Sequence, residues 1–77
     1  MKYNHHIVAQ TIGALRVQRN MSQKELALKA GLARSHYAMI ESGAKHASVE
    51  TLWKIADAFG IRLSELFRMI EDQAGML

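Results

Sequence analysis

The chain has 77 residues, 49% of them hydrophobic and 22% charged, and this length predicts one small domain. It lacks cysteine, which excludes disulfides and thiolate metal sites, and it has no run of about 18 apolar residues that would span a membrane. The first six residues lack the apolar segment of a signal peptide, so we expect a cytoplasmic protein.

Basic residues are concentrated in the first part of the chain. The formal net charge is +3, but residues 1–46 hold seven Lys and Arg against two acids, whereas residues 47–77 hold three against five. A basic surface suits a polyanion such as nucleic acid, and the acidic second part should then face elsewhere. Ordinary solvated charge is the alternative explanation of this asymmetry.

Apolar residues recur at spacings of three and four without strand-like alternation, which predicts an all-α fold of five helices. The first helix is predicted from about Asn4 to Arg19, and Asn20 is suited to the left-handed conformation that ends it. Gly13 inside this helix should let another helix approach closely. The predicted apolar face of the helix is Ile7, Val8, Ile12 and Leu15.

The second helix should begin after Ser22, because Glu25 follows three residues later in the capping-box pattern. Gly31 should end it, and the third helix should start near Ala33 and end by Gly43. The residues predicted to point inward from these two helices are Leu26, Ala27, Ala30, Tyr37 and Ile40.

Ser48 is the predicted cap of a fourth helix that Gly60 ends, after a short loop at residues 44–47. One face of that helix should carry Val49, Leu52, Ile55, Ala56 and Phe59. The last helix is predicted from Arg62 or Leu63 to Asp72 or Ala74, with residues 71–77 as a possible flexible tail. The residues expected to complete the core from this helix are Leu63, Leu66 and Phe67.

The connection between the second and third helices is only Gly31-Leu32, so the two helices cannot lie antiparallel and must cross steeply. A crossing of this kind is a helix-turn-helix. It leaves one face of the third helix exposed, and the residues predicted on that face are Arg34, Ser35, Ala38 and Met39.

The residues around this crossing resemble those of the Cro/C1-type (XRE) helix-turn-helix family. The similar segments are Gln23-x-Glu25-Leu26-Ala27, Ala30-Gly31-Leu32, Ile40-Glu41-x-Gly43 and Thr51-Leu52-x-x-Ile55-Ala56. The resemblance implies a five-helix, lambda-repressor-like DNA-binding domain. It also implies a regulator of the kind found among phage repressors and the controller proteins of restriction-modification systems.

The resemblance implies a role for each residue of the motif. Arg34, Ser35 and Met39 fall on base-reading positions, where arginine can donate to guanine O6 and N7 and Ala38 leaves room for the groove floor. Arg16 and Glu41 match a structural pair that joins the first helix to the end of the third. The implied phosphate-binding residues are Ser22, Gln23, His36, Lys45 and His46, although His36 is equally compatible with idle exposure.

Two positions depart from the family pattern. Ala47 stands where proline is common, which we expect to loosen the entry to the fourth helix. Tyr37 stands where Ile, Val or Leu is usual, so its ring must fill an aliphatic space while its hydroxyl finds a partner or water.

A small domain has difficulty burying both faces of its last two helices, and the leftover apolar residues indicate a homodimer surface. Related small regulators commonly dimerise through the last helix. The residues predicted for this surface are Trp53, Leu66, Met69 and Ile70, with the Met76-Leu77 tail as a further candidate.

No catalytic or metal constellation is recognised. Adjacent His5 and His6 would point about 100° apart on a helix with no third ligand nearby, so we interpret both as solvated side chains. Ser35 and His36 also diverge and lack an orienting acid. We therefore expect no enzyme, no cofactor and no small-molecule effector.

Two functions remain open from the sequence. The favoured one is a dimeric transcription regulator of double-stranded DNA, with the restriction-modification controller as one subtype. The alternative is an antitoxin or a protein-binding adaptor built on the same helix-turn-helix, for which only the segment after Ile70 is available to engage a protein.

Overall fold

Five helices form the fold of residues 3–75, the part of the chain that the computed structural model describes. Within those residues there is no strand, so the all-α prediction is confirmed, and each predicted helix is present with its ends within a few residues of those expected. The helices are α1 (His5–Gln18), α2 (Gln23–Ala30), α3 (Arg34–Glu41), α4 (Val49–Phe59) and α5 (Leu63–Gly75).

Local side-chain caps explain where three of the helices begin. The Asn4 side chain accepts a hydrogen bond from the backbone N–H of His6, and the Ser48 hydroxyl accepts one from that of Thr51. At the start of α2 the predicted capping box is complete, because Ser22 and Glu25 each accept the other's backbone N–H at 3.0 Å. These bonds satisfy N–H groups that have no partner inside the helix.

The core lies where all five helices meet. Helix α2 packs against α3 and α4, α1 packs against α3 and α5, and α4 packs against α5. At the α2–α3 crossing, Ala27 is 1% exposed, and its small side chain lets the two helices approach. The largest side chains that are almost fully buried are Tyr37, Ile12, Leu26, Ile40, Ile55 and Leu66.

Two core predictions are wrong. Val49 is 61% exposed because it is the first residue of α4. The first buried residue of this helix is Leu52, one turn later, and the core does not extend as far as Val49. Phe67 is 37% exposed because α5 turns Leu66 into the core, and the next residue points about 100° away. Both aromatic and aliphatic surface is therefore left uncovered on α4 and α5.

The segment predicted as a possible tail from residue 71 continues α5 as far as Gly75. Met76 and Leu77, which were considered for a dimer surface, lie outside the described residues. None of the helices within residues 3–75 is long and apolar enough to cross a membrane.

Candidate nucleic-acid interface

The short turn predicted between α2 and α3 is present, and the two helices pack against each other. Gly31 ends α2 in the left-handed conformation, with φ of 70°, and the backbone N–H of Leu32 bonds back to the Ala27 carbonyl at 2.9 Å. A side chain with a Cβ is strained at this φ, which explains glycine at the turn. Ala33 is extended, and α3 then begins in a new direction at Arg34.

Helix α3 buries one face and exposes the other. Tyr37 and Ile40 are buried, whereas Arg34 and Ser35 are exposed and Met39 is 42% exposed. Positions 34, 35, 38 and 39 lie on the same side of a helix, so the structure brings the four predicted base-reading residues together on one accessible face. Ala38 is half-buried in the middle of this face.

The Glu41 carboxylate ties the helix-turn-helix to α1. The Arg16 guanidinium of α1 donates to it from Nε at 2.7 Å and from Nη2 at 3.3 Å, which confirms the expected pair. The Gln23 amide of α2 also donates to this carboxylate, as does the Tyr37 hydroxyl of α3 at 2.9 Å. The Tyr37 hydroxyl, which we expected to need a hydrogen-bond partner, therefore finds it in Glu41.

Gly13 makes room for this carboxylate. A Cβ at residue 13 would lie 3.2 Å from both Cγ and Oε1 of Glu41, which is tighter than ordinary van der Waals contact. The close approach predicted at Gly13 is therefore made by a charged side chain of α3. This contact places the ion pair between helices, where the Arg16 and Glu41 side chains are 17% and 11% exposed.

The hydrogen bonds of this cluster fix the charge states of its members. Burial raises the pKa of the Glu41 carboxyl, but the hydrogen bonds from Arg16, Gln23 and Tyr37 outweigh it and hold that pKa below its ordinary value. The hydrogen bond to Glu41 raises the pKa of Arg16. Burial and the bond to Glu41 raise the pKa of Tyr37, so its hydroxyl stays a donor.

The predicted phosphate-binding residues lie at three places: the start of α2, α3 itself and the loop that follows α3. Ser22 and Gln23 lie at the start of α2, where Ser22 caps the helix and the half-buried Gln23 amide is held by Glu41. Lys45 and His46 are exposed on the loop that follows α3. His36 is half-buried on α3 itself. Their contact with phosphate stays a prediction.

One arrangement was missed. His5 is not a solvated side chain, because its Nε2 is 3.0 Å from the Gly43 carbonyl and its ring stacks on the His46 ring at a centroid distance of 3.9 Å. Residues 5 and 46 are far apart in the chain, so no local pattern signalled the contact. Within residues 3–75, no group of three or more His, Asp or Glu side chains is arranged to hold a metal ion.

The residues predicted for a dimer surface do not all lie at the surface. Leu66 is 0% exposed and packs into the core of its own chain, so its assignment to an interface is wrong. Trp53 is 57% exposed, while Met69 and Ile70 are partly buried against the core. A neighbouring groove of about 390 Å³ is lined by Tyr3, Val8, Leu52, Phe67, Ile70 and Glu71.

Comparison with known proteins agrees with this geometry. A helix-turn-helix family model matches residues 12–66. The immunity repressor protein of Bacillus phage phi105 is 42% identical over 59 residues, which are 77% of this chain and 41% of that protein. The control protein C.MunI of Mycoplasma sp is 41% identical over 54 residues, covering 70% of this chain and 73% of that protein.

A solved structure extends the likeness to three dimensions. The restriction-modification controller protein C.AhdI from Aeromonas hydrophila superposes with a TM-score of 0.77 at 33% sequence identity, over 82% of this chain and 96% of that chain. The chain thus spans less than half of the phage repressor but nearly all of this controller protein.

Proposed function

The chain belongs to the Cro/C1-type helix-turn-helix family, and on this premise we propose that it is a transcription regulator that binds near-palindromic operator DNA as a homodimer. The observation that carries the proposal is the exposed face of α3, from which Arg34, Ser35 and Met39 project. The hydrogen bonds from Arg16 and Gln23 to Glu41 fasten this helix to α1 and α2. A rigid, projecting helix face is what reading of the major groove requires.

Each of the three projecting side chains suits one kind of base contact. The Arg34 guanidinium donates a fork of two hydrogen bonds to guanine O6 and N7. The Ser35 hydroxyl both donates and accepts, so it suits either member of a pair. The Met39 thioether packs against a thymine methyl, and the small Ala38 lets the helix approach the base edges.

The flanking residues bind the DNA backbone. Backbone N–H groups at the start of α2 attract phosphate, and Ser22 and Gln23 are placed there. The Gln23 amide has two hydrogens, and Glu41 accepts one of them, so the other can be donated to phosphate. Lys45 and His46 extend the backbone contact beyond the end of α3, and His36 adds to it from the helix rim.

The homodimer supplies the second reading helix. The self-complementary apolar surface comprises the exposed Trp53 and the groove that Phe67 and Ile70 line. Met69 lies on another side of α5, beside Leu15 of α1, and is less suited to this surface. A two-fold axis then spaces the half-sites by about 34 Å or a multiple of it along one face of the duplex. The whole chain acts as one domain in this arrangement.

The restriction-modification controller is the subtype we propose. It is supported by the identity with the control protein C.MunI and by the likeness to the controller protein C.AhdI. The protein would then act in the bacterial cytoplasm on the DNA of its own system, without a cofactor and without catalysis.

Selection of bound duplexes from a random pool tests the proposal. A DNA-reading dimer recovers one sequence motif with two related half-sites at a fixed spacing. A pool that stays random after repeated rounds, while the protein remains folded by circular dichroism, contradicts it. In that case, capture of a folded partner protein at the same concentrations would favour an antitoxin or adaptor.

A further inference from the structure

The start of α1 is docked on the loop that follows α3, and two contacts through His5 hold it there. The His5 Nε2 lies 3.0 Å from the Gly43 carbonyl oxygen. The His5 and His46 rings stack with their centroids 3.9 Å apart and their planes 21° from parallel, and the Tyr3 ring meets His46 edge-on at 6.1 Å. The loop is thus joined to a helix outside the helix-turn-helix.

The hydrogen bond has a defined direction. A carbonyl oxygen only accepts, so the His5 Nε2 carries the hydrogen and donates it to Gly43. Residue 43 must be glycine for this docking, because its φ is +83° and an added Cβ would lie 2.6 Å from Nδ1 of His6. The backbone of the loop therefore passes close beneath two histidine rings.

Other hydrogen bonds hold the loop to the end of α3. The Ser42 hydroxyl donates to the Met39 carbonyl at 3.0 Å, and the backbone N–H of Lys45 donates to the same carbonyl at 3.1 Å. The loop also contacts α1 on both sides of Lys45, because His5 bonds to the Gly43 carbonyl and stacks on the His46 ring. The backbone of Lys45 is thus bonded to α3, and its two flanks are held by His5.

We propose that His5 is a positioning residue for DNA-backbone binding, acting through the loop at residues 43–46. It fixes this loop before DNA arrives, so that Lys45 and His46 contact the duplex without an ordering cost at the moment of binding. The role rests on the proposed function. His5 precedes the segment at 12–66 that matches the family. In this role it contributes to the affinity for any duplex but not to the choice of bases.

The test measures the dissociation constant for the selected operator and for an unrelated duplex, each over a series of salt concentrations. We expect His5→Ala to weaken both complexes by the same factor of about ten, which corresponds to about 1.4 kcal/mol. The dependence of affinity on salt should become shallower, because fewer phosphates are contacted by the misplaced loop. Gln10→Ala, on an exposed part of the same helix, is the matched control and should bind as the native chain does.

Two conservative variants separate the contacts. His5→Gln keeps a donor for Gly43 and loses the aromatic stack, whereas His5→Phe keeps the ring and loses the donor. Each should restore part of the affinity and of the salt slope lost in His5→Ala. Because His5 acts through the loop, His5→Ala combined with His46→Ala should bind more tightly than the product of the two single effects predicts.

The outcomes distinguish this role from the proposed function. A native salt slope in His5→Ala overturns the role even if affinity falls, because a less stable fold lowers only the active fraction. Strict additivity of the His5 and His46 effects overturns it as well. If the native chain binds neither duplex, the proposed function fails; if it binds and His5→Ala matches it, only the positioning role fails.

Discussion

One carboxylate, that of Glu41, joins the helices α1, α2 and α3. It accepts hydrogen bonds from Arg16 of α1, Gln23 of α2 and Tyr37 of its own helix. A charge this far from water is favourable only while its partners are present, and removal of one member of such a pair is strongly destabilising. The orientation of α3 therefore depends on these hydrogen bonds as well as on buried apolar area.

Glu41→Gln should lower the free energy of unfolding by about 3 kcal/mol at pH 7, because it leaves the Arg16 charge without its counter-ion. The effect should depend on pH. The folded pKa of Glu41 lies below its ordinary 4.5, so its stabilisation is fully present above that pH and is lost as pH falls through the folded value.

Urea denaturation at pH 7 and at pH 3 measures this difference. The native chain and Glu41→Gln should be well separated in stability at pH 7 and should converge in acid. Glu50→Gln, at an exposed position of α4, should follow the native chain at both pH values. A constant gap between the native chain and Glu41→Gln would contradict a buried, charged carboxylate.

Lys45 tests the phosphate contacts at the level of a single charge. Lys45→Ala should weaken binding to specific and unrelated duplexes alike, and it should reduce the slope of log affinity against log salt by about one. Fluorescence titrations at several salt concentrations give both quantities. Arg68→Ala removes an exposed charge from α5 and should leave the slope unchanged. An unchanged slope for Lys45→Ala would refute the contact.

The ends of the helices could be predicted from neighbouring residues in the sequence. Which face of each helix is buried depends on packing between helices that are far apart in the chain. The capping box of Ser22 and Glu25 and the left-handed Gly31 depend on neighbours within a few residues, so the sequence was sufficient for them. Leu66 was predicted both for the core and for the interface, and only the core prediction is confirmed. The interface assignment was wrong because the rotation of α5 about its axis turns Leu66 towards the other helices. A helical periodicity does not fix that rotation.

In the candidate site, too, some features could be predicted from the sequence and others only from the fold. The exposed face at Arg34 and Ser35 followed from the short turn before α3, whereas the Arg16–Glu41 pair was expected only from family resemblance. The contact between His5 and His46 was not predictable, since 40 residues separate them and the family resemblance assigns no role to His5. Only the fold brings these two rings together.

Tyr37→Phe tests how α3 is held in place. The ring still fills the core, but Glu41 loses one of its donors, and a hydrogen bond to a charged group contributes about 1.5–3 kcal/mol. We expect a loss of stability at the lower end of that range, because Arg16 and Gln23 remain bound to the carboxylate. Thermal and urea unfolding measure it.

The control for this change is Tyr3→Phe, in which the hydroxyl removed belongs to a residue that is 67% exposed. It should unfold as the native chain does. Equal stability of Tyr37→Phe and Tyr3→Phe would show that the Tyr37 hydroxyl contributes nothing to the attachment of α3.

At the scale of the whole molecule, one short helix such as α3 can contact only a few bases, so specific binding needs a second copy. Basic residues concentrate in the part of the chain that carries α2 and α3. Exposed apolar side chains occur on every helix, and those of α4 and α5 are Val49, Trp53 and Phe67. We propose that α4 and α5 bind a second copy while the exposed face of α3 binds DNA. Two copies double the number of bases that are read.

Trp53→Ala should weaken self-association, because it removes the largest exposed apolar side chain of α4 without disturbing the core. Sedimentation velocity across a range of concentrations should show a higher dimer dissociation constant, by about tenfold or more for a central aromatic residue. Lys54→Ala, exposed on the same helix, should leave association unchanged. A native chain that stays monomeric at high micromolar concentration would contradict the dimer.

The most direct test of the account is duplex selection from one random pool by the native chain and by Arg34→Ala in parallel. The native chain should recover a near-palindromic motif. Arg34→Ala should recover the same motif without its preference at one base in each half-site, with a loss of about 1–3 kcal/mol there. If Arg34→Ala recovers the full motif, or if its preference is lost in only one half, the claim that two symmetry-related α3 helices read the bases is contradicted.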